Sequence, residues 1–271
     1  MTEAGNTTAN TTAAKTDESN DDTSGYTTDE MMIVNAARLL HNGHVCFVGI
    51  GLPSTAANLA RRTHAPNVVL VYESGCIGSK PTRLPLSIGD GELADTADVV
   101  VSVPEIFAYW LQAGRIDIGF LGGAQLDRMG NINSTVIGSY DSPSTRLPGA
   151  GGAPEIAANA GEVFVVMRQS KRSFVERCDF RTSVGNGDGP GTRESLGMSG
   201  RGLTTVITDL GVLRPDPVTA ELVLTQLHPG ATVEQVKVAT GWHLKVSEEL
   251  TMTERPTAIE LDVLRKLQAA T

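Results

Sequence analysis

The stretch VVLVYESGCIGS, residues 68–79, begins with apolar and aromatic residues at every position from 68 to 72 and then stops at Glu73-Ser74-Gly75. A run with no polar alternation has both faces covered, which is the pattern of a strand inside a parallel sheet. The Ser-Gly that follows is a turn signal. Glu73 therefore stands at the carboxyl end of a buried strand, where open parallel sheets form their ligand crevice. Most glutamates are surface groups or helix caps. A carboxylate attached to the most apolar strand of the chain is costly to desolvate without a partner, so its retention points to a role. General base, metal ligand and nucleophile all fit. The lack of nearby His or Asp in the sequence weighs against a metal ligand, and no Ser/His or Cys/His set suggests hydrolytic chemistry.

Working outward, HVCFVGIGLPSTAANLARRTHAP (44–66) reads as a strand at 45–48, a glycine turn through Gly49 and Gly51, a helix entering near Ser54 and a stop at Pro66. Before it, TTDEMMIVNAARLLHNG (27–43) reads as a helix with Thr28 as N-cap and Asn42-Gly43 as its stop. Downstream the alternation continues. ADVVVSV (97–103) is a strand, PEIFAYWLQAG (104–114) a helix started by Pro104, and IDIGFLGGAQLD (116–127) a strand ending in glycines. RMGNINSTVIG (128–138) is a tight turn into a short strand, and TRLPGAGGAPEIAANAG (145–161) a glycine loop opening a helix. EVFVVMRQS (162–170) and LTTVITDLGVLRPD (203–216) supply further strands, the latter in a hairpin with ELVLTQLHPG (221–230). TVEQVKVATGW (232–242) and TAIELDVLRKLQAAT (257–271) read as two closing helices. The expected fold is α/β, an open mainly parallel sheet with flanking helices and a few antiparallel strands, in one domain over 27–271. Residues 1–26, rich in Thr, Asn and Asp, have almost nothing to bury and are expected to form a disordered tail.

Composition narrows the function classes. At 271 residues and 40% hydrophobic the chain can bury a substantial core. Its net charge of −9 is partly a property of the acidic N-terminal segment, and no basic stripe with interleaved aromatics supports nucleic-acid binding. No apolar run approaches the ~20 residues of a membrane span, and the N-terminus lacks a basic-then-apolar signal pattern, so a cytoplasmic protein is expected. Cys46, Cys76 and Cys178 are odd in number and far apart, which argues against a disulfide framework and favours packing, with Cys76 notable for lying three residues past Glu73. The histidines show no HExxH spacing, and no metal is expected.

Glycine loops ahead of helices expose backbone N–H groups and suit an anion or a developing oxyanion. GIGLPS (49–54) and GAGGAPE (149–155) qualify, although neither alone exceeds ordinary strand-to-helix geometry. Their convergence with one acidic strand end makes them informative. For Gln125, Asn131 and Asn133, hydrogen bonding in turns and at strand ends is favoured over direct substrate contact.

GIGLPS, ESG, LGGAQLDRMGNINSTVIGSY, TRLPGAGGA and GPGTRESLGM, in this order and spacing, resemble the B (β) subunit of the family I coenzyme A-transferases, with glutaconate CoA-transferase nearest. The resemblance spans roughly residues 28–265. The 3-oxoacid branch carries ENG where this chain has ESG, which favours the glutaconate-like branch. The resemblance implies that Glu73 is the nucleophile that attacks an acyl-CoA thioester in a ping-pong exchange through an enzyme–CoA thioester. It also implies an oxyanion and CoA-binding loop of Gly149, Gly151, Gly152 and Ala153, and a pocket shaped by Gly49, Gly51, Pro53, Ser74, Gly75, Gln125 and Asn133. Coenzyme A would be a co-substrate, with no tightly bound cofactor. A separate A (α) subunit is the expected partner, with an acyl-CoA and a carboxylic acid as substrates. The competing readings are a CoA-thioester or ring-cleaving hydrolase subunit of the same fold, against which Glu73 argues, and a non-catalytic ligand-binding module.

Overall fold

The structure, a computed structural model, describes residues 25–270. The main sheet begins with β1 (Val45–Phe47), which leads through α2 (Leu52–Arg62) to β2 (Val69–Val71). Ahead of β1 lies α1 (Thr28–Arg38). After β2 the chain turns back as β3 (Cys76–Ile77), then passes through α3 (Gly91–Asp95) to β4 (Val99–Val100). α4 (Val103–Glu105) runs straight into a π-helical segment, Ile106–Leu111, before β5 (Ile118–Leu121). Next come β6 (Gln125–Asp127), β7 (Ile132–Asn133), β8 (Val136–Gly138), β9 (Pro143–Arg146) and α5 (Ala153–Asn159). β10 (Glu162–Val166), β11 (Phe174–Val175), α6 (Thr192–Ser195) and the meander β12 (Leu203–Ile207), β13 (Gly211–Pro215), β14 (Leu222–Leu227) follow. α7 (Val233–Val238), β15 (Lys245–Met252) and α8 (Ala258–Ala269) close the fold.

The large sheet has the order β15-β14-β13-β12-β10-β5-β1-β2-β3-β4. Its centre, β12-β10-β5-β1-β2, is wholly parallel. From β1 the chain steps one way to β2 and later returns to the other side as β5. That reversal opens a crevice beyond the carboxyl ends of β1 and β5. Alternate residues of these strands feed two cores, as the two-residue period of a strand requires. Cys46, Val48, Leu70 and Tyr72 pack with the helical layer of α1, α2 and α8, while Phe47 and Val71 lie on the opposite face in the core that includes Ile156 of α5. The expected open α/β sheet is the fold observed.

Several local expectations need correction. The N-cap of α1 is Thr27, whose hydroxyl accepts from the Glu30 amide while the Glu30 carboxylate accepts from the Thr27 amide, a capping box that Thr28 cannot close. ADVVVSV is reduced to the two-residue edge strand β4, with both valines exposed. PEIFAYWLQAG is mostly π-helical. IDIGFLGGAQLD is two strands, because the chain leaves the main sheet at Gly122-Gly123 and β6 joins a separate sheet, β11-β6-β7. β15 has no counterpart in the sequence reading. The expected tail falls outside the described residues except for Gly25 and Tyr26, where the Gly25 carbonyl accepts a 2.7 Å hydrogen bond from Arg265 Nη2. No helix among the described residues is long and apolar enough to cross a membrane.

Candidate active site

Glu73 sits in the tight connection between antiparallel β2 and β3, where Val71 pairs with Ile77. The Gly75 amide donates to the Tyr72 carbonyl at 3.0 Å and the Tyr72 amide to the Cys76 carbonyl at 2.9 Å. Gly75 has φ +101°, and a Cβ there would come within 1.9 Å of the Val101 carbonyl oxygen, so both conformation and space demand glycine. Tyr72 is fully buried toward α2, its hydroxyl 3.4 Å from Ser54 Oγ. Burial raises the Tyr72 pKa, with the Ser54 and Asn58 side chains acting against it, so the phenol is a neutral anchor. One residue on, the side chain of Glu73 points to the opposite face, toward α5.

There it lines a cavity of about 400 Å³ at the carboxyl ends of β1 and β5. The walls are Phe47, Val48, Ile50, Leu52, Pro53, Ile88, Phe120, Leu121, Ile156 and Val166, with backbone from Gly49, Gly122 and residues 150–153. Among the described residues Glu73 is the one polar side chain in this lining. Among the described residues nothing donates a hydrogen bond to its carboxylate. A half-buried carboxylate among apolar walls is less solvated than one in water.

The glycine loop closes over this carboxylate. A Cβ on Gly152 would lie 2.6 Å from Glu73 Oε1 and 2.6 Å from Phe107 Cζ, and one on Gly151 would lie 4.0 Å from the same oxygen. Among the described residues the amides of Gly151 and Gly152 have no acceptor. The loop that approaches the carboxylate thus carries two backbone donors without an acceptor among the described residues. The loop is held at both ends. Gly149 exchanges hydrogen bonds with Ser134, its amide donating to the Ser134 carbonyl at 2.9 Å and its carbonyl accepting from Ser134 Oγ at 2.8 Å. The Ala153 amide donates to the Ala150 carbonyl, and Ile156 of α5 packs directly on Gly119 of β5.

Of the residues suggested by sequence, Glu73, Gly49, Pro53, Gly151, Gly152 and Ala153 come together around the cavity. Gly51 is the N-cap of α2 at φ +86°, and Gly149, at φ +108°, is a hinge of the loop; both support the wall without lining it. Ser74 and Gly75 shape the turn, with Ser74 Oγ 3.6 Å from Cys76 Sγ. Gln125 and Asn133 do not line this cavity. They lie in the β6–β7 pair, where the Asn133 amide donates to Gln125 Oε1 at 2.8 Å and Gln125 in turn donates to Asp179. Asn131 likewise braces a turn through Asp127 and the backbone of Gly187. Burial pushes the Cys46 and Cys178 thiols up, as befits packing residues. Among the described residues no group of three or more His, Cys, Asp or Glu could hold a metal ion. Phe107 and Ile88 have no place in the sequence reading. Phe107 lies in an apolar helix with nothing to mark it, whereas Ile88, an apolar residue in the Pro/Gly-rich stretch PTRLPLSIGD, is a signal that could have been used.

Comparison with known proteins sharpens the picture. The chain is 60% identical to the B subunit of 3-oxoadipate CoA-transferase of Pseudomonas knackmussii over 92% of its length and 95% of that protein's. It is 38% identical to the B subunit of glutaconate CoA-transferase of Acidaminococcus fermentans, covering 90% of this chain and 93% of that one. The crystal structure of glutaconate CoA-transferase from the same organism superposes with a TM-score of 0.84 at 35% identity, over 90% of this chain and 95% of that one. Identity is thus higher to the 3-oxoadipate enzyme than to the glutaconate enzyme, despite the ESG that suggested the latter. Residues 29–239 match the sequence model described as Coenzyme A transferase, and the chain belongs to the coenzyme A transferase family.

Proposed function

We propose that the protein is the B subunit of a heteromeric CoA-transferase that moves CoA between an acyl-CoA and a carboxylic acid, with Glu73 as the nucleophile. The observation that carries this reading is the contact between the Glu73 carboxylate and Gly152, beside two amides with no acceptor among the described residues, in a cavity whose other side chains are all apolar.

A Glu73 oxygen attacks the thioester carbonyl carbon, and the tetrahedral oxyanion is met by the amides of Gly151 and Gly152. Removing one such donor typically costs roughly 2.7–4 kcal/mol of transition-state stabilisation. The C–S bond breaks, CoA leaves as thiolate, and an acyl-glutamyl anhydride remains. The thiolate then attacks the glutamyl carbonyl carbon, the bond between that carbon and the bridging anhydride oxygen breaks, and the first acid departs as its carboxylate with that oxygen. The enzyme is left as a Glu73–CoA thioester. The acceptor carboxylate runs the same steps in reverse.

Two names among the relatives bear on substrate and partner. The 3-oxoadipate enzyme, at 60% identity, supports a 3-oxo dicarboxylic acid as one of the acids exchanged. Relatives described as B subunits support an A subunit as partner, and the open side of the cavity leaves room for it to contribute.

Glu73→Gln, produced with the A subunit, tests the assignment. An amide of the same shape cannot form the anhydride, so transfer is expected to vanish while the complex still assembles. Retained turnover would assign the chemistry to another group. Acceptor-independent thioester cleavage by the wild-type complex would favour a hydrolase.

A further inference from the structure

The segment GPGTRESLGM, residues 189–198, has no part in the chemistry above, yet it carries the most deeply engaged cation among the described residues. Arg193 is 7% exposed. Its guanidinium donates to five backbone carbonyls: Gly200 from both Nε (3.1 Å) and Nη2 (2.9 Å), Val184 (3.3 Å) and Gly185 (2.9 Å) from Nη1, and Ala157 (3.0 Å) and Ala158 (3.2 Å) from Nη2. Among the described residues no carboxylate forms a salt bridge with it. Burial draws its pKa below the usual guanidinium value, with Glu194 acting in the opposite sense.

The identity of these carbonyls gives the arginine its meaning. Ala157 and Ala158 lie in the last turn of α5, where helix carbonyls lack intrahelical donors. The Gly161 amide, which a longer helix would direct to Ala157, donates instead to Ile116. Arg193 therefore fixes the far end of the helix that begins next to Gly152. Its other bonds reach the support of the loop's near end. The Gly185 amide donates to Asn131 Oδ1, and a Cβ on Gly185 would lie 2.2 Å from the Gly130 carbonyl oxygen, so Val184-Gly185 is locked on the strand pair whose continuation, Ser134, holds Gly149. The rigid fork of a guanidinium can hold both groups of carbonyls in one plane, which an ammonium on a flexible stem cannot.

We infer that Arg193 is a positioning residue for the transfer reaction: by tying the C-terminal end of α5 to the support beneath Gly149, it sets where Gly151 and Gly152 stand against Glu73. The inference rests on the proposed role of Glu73. The contact it controls is close enough for small shifts to matter, because Gly152 has no spare room between Glu73 Oε1 and Phe107.

The test uses the complex with the A subunit and compares wild type with Arg193→Lys and Arg193→Gln. Lysine keeps the charge and most of the volume but serves fewer carbonyls. In both variants kcat per mole of assembled complex is expected to fall, by up to about 100-fold as for a misplacement near 1 Å, with KM for acyl-CoA nearly unchanged. Hydrogen exchange of the amides at 149–156 is expected to speed up. In Arg193→Ala, added methylguanidinium is expected to restore part of kcat. Wild-type kcat in assembled Arg193→Lys, or unchanged exchange at 149–156, would overturn the inference, as would failure of every variant to assemble, which would make the residue architectural. A wild-type complex with no covalent intermediate on Glu73 would count against the proposed function alone, because the exchange measurement reads the loop without reference to chemistry.

Discussion

Gly152 backs directly onto Glu73: a Cβ at that position would lie 2.6 Å from Oε1, too close to be accommodated unless a neighbour moves. Gly152→Ala must displace the carboxylate, Phe107 or the loop. The expected result is a folded complex whose kcat for CoA transfer falls by about 100-fold or more, while the melting temperature changes little. A Gly152→Ala complex with wild-type kcat would show that the Glu73–Gly152 contact is not part of the reaction geometry.

Gly75 tests the turn that projects Glu73. At φ +101° an L-residue costs about 1–2 kcal/mol, and contact with the Val101 carbonyl adds to it. Gly75→Ala is therefore expected to lower stability in denaturant unfolding by more than the backbone penalty alone, with activity falling as the hairpin shifts. An unfolding midpoint equal to wild type would contradict this account of the turn.

The parts of the fold that are legible in the sequence are those with strong burial asymmetry. VVLVY is apolar on both faces and reads as a central strand, and the glycines of GIGLP and GAGGA mark strand exits. β15 escapes because KVSEELTM is mostly exposed and its apolar face is broken: Val246 and Leu250 pack partly on the core, but Glu248 stands between them and Met252 is exposed, so the alternation is too weak to announce a strand. Its pairing to β14 is a tertiary matter that no local pattern records. Within the site, Glu73 is singled out by the cost of desolvation, but its contact with Gly152 links positions far apart in sequence and becomes visible only in three dimensions. Gln125 and Asn133 resemble pocket residues because they sit in a distinctive glycine-rich stretch, whereas their hydrogen bonds serve the β6–β7 pair.

His228 offers a pH test independent of catalysis. It is 3% exposed, with Nε2 donating to the Thr208 carbonyl and Nδ1 paired with Thr253 Oγ1, both at 2.8 Å, and its burial favours the neutral ring. Burial lowers its pKa from 6.5 to about 4. The unfolded chain thus binds the proton more tightly, so the contribution of the neutral ring is complete above pH 6.5 and is lost as pH falls from there to about 4. The difference is on the order of 3 kcal/mol. Unfolding free energy measured from about pH 7 to 4 is expected to fall with a component that His228→Asn removes. Identical pH slopes in variant and wild type would contradict it.

The N-terminal segment yields a truncation test. The composition of residues 1–24 leads us to expect that their deletion leaves the melting temperature unchanged. Deletion through Tyr26 also removes the Gly25 carbonyl that accepts from Arg265, a bond worth about 1 kcal/mol, and is expected to lower the melting temperature by roughly 2–4 °C. A lower melting temperature on deleting only residues 1–24 would assign those residues a stabilising role.

The most direct test of the central claim is to incubate the complex of this chain and its A subunit with an acyl-CoA, quench in acid, and map the peptides of this chain by mass spectrometry. CoA bound as a thioester to the peptide containing Glu73, removable by hydroxylamine and lost on addition of an acceptor acid, is the predicted result. A complex that transfers CoA with Glu73 unmodified throughout would contradict the assignment of Glu73 as nucleophile.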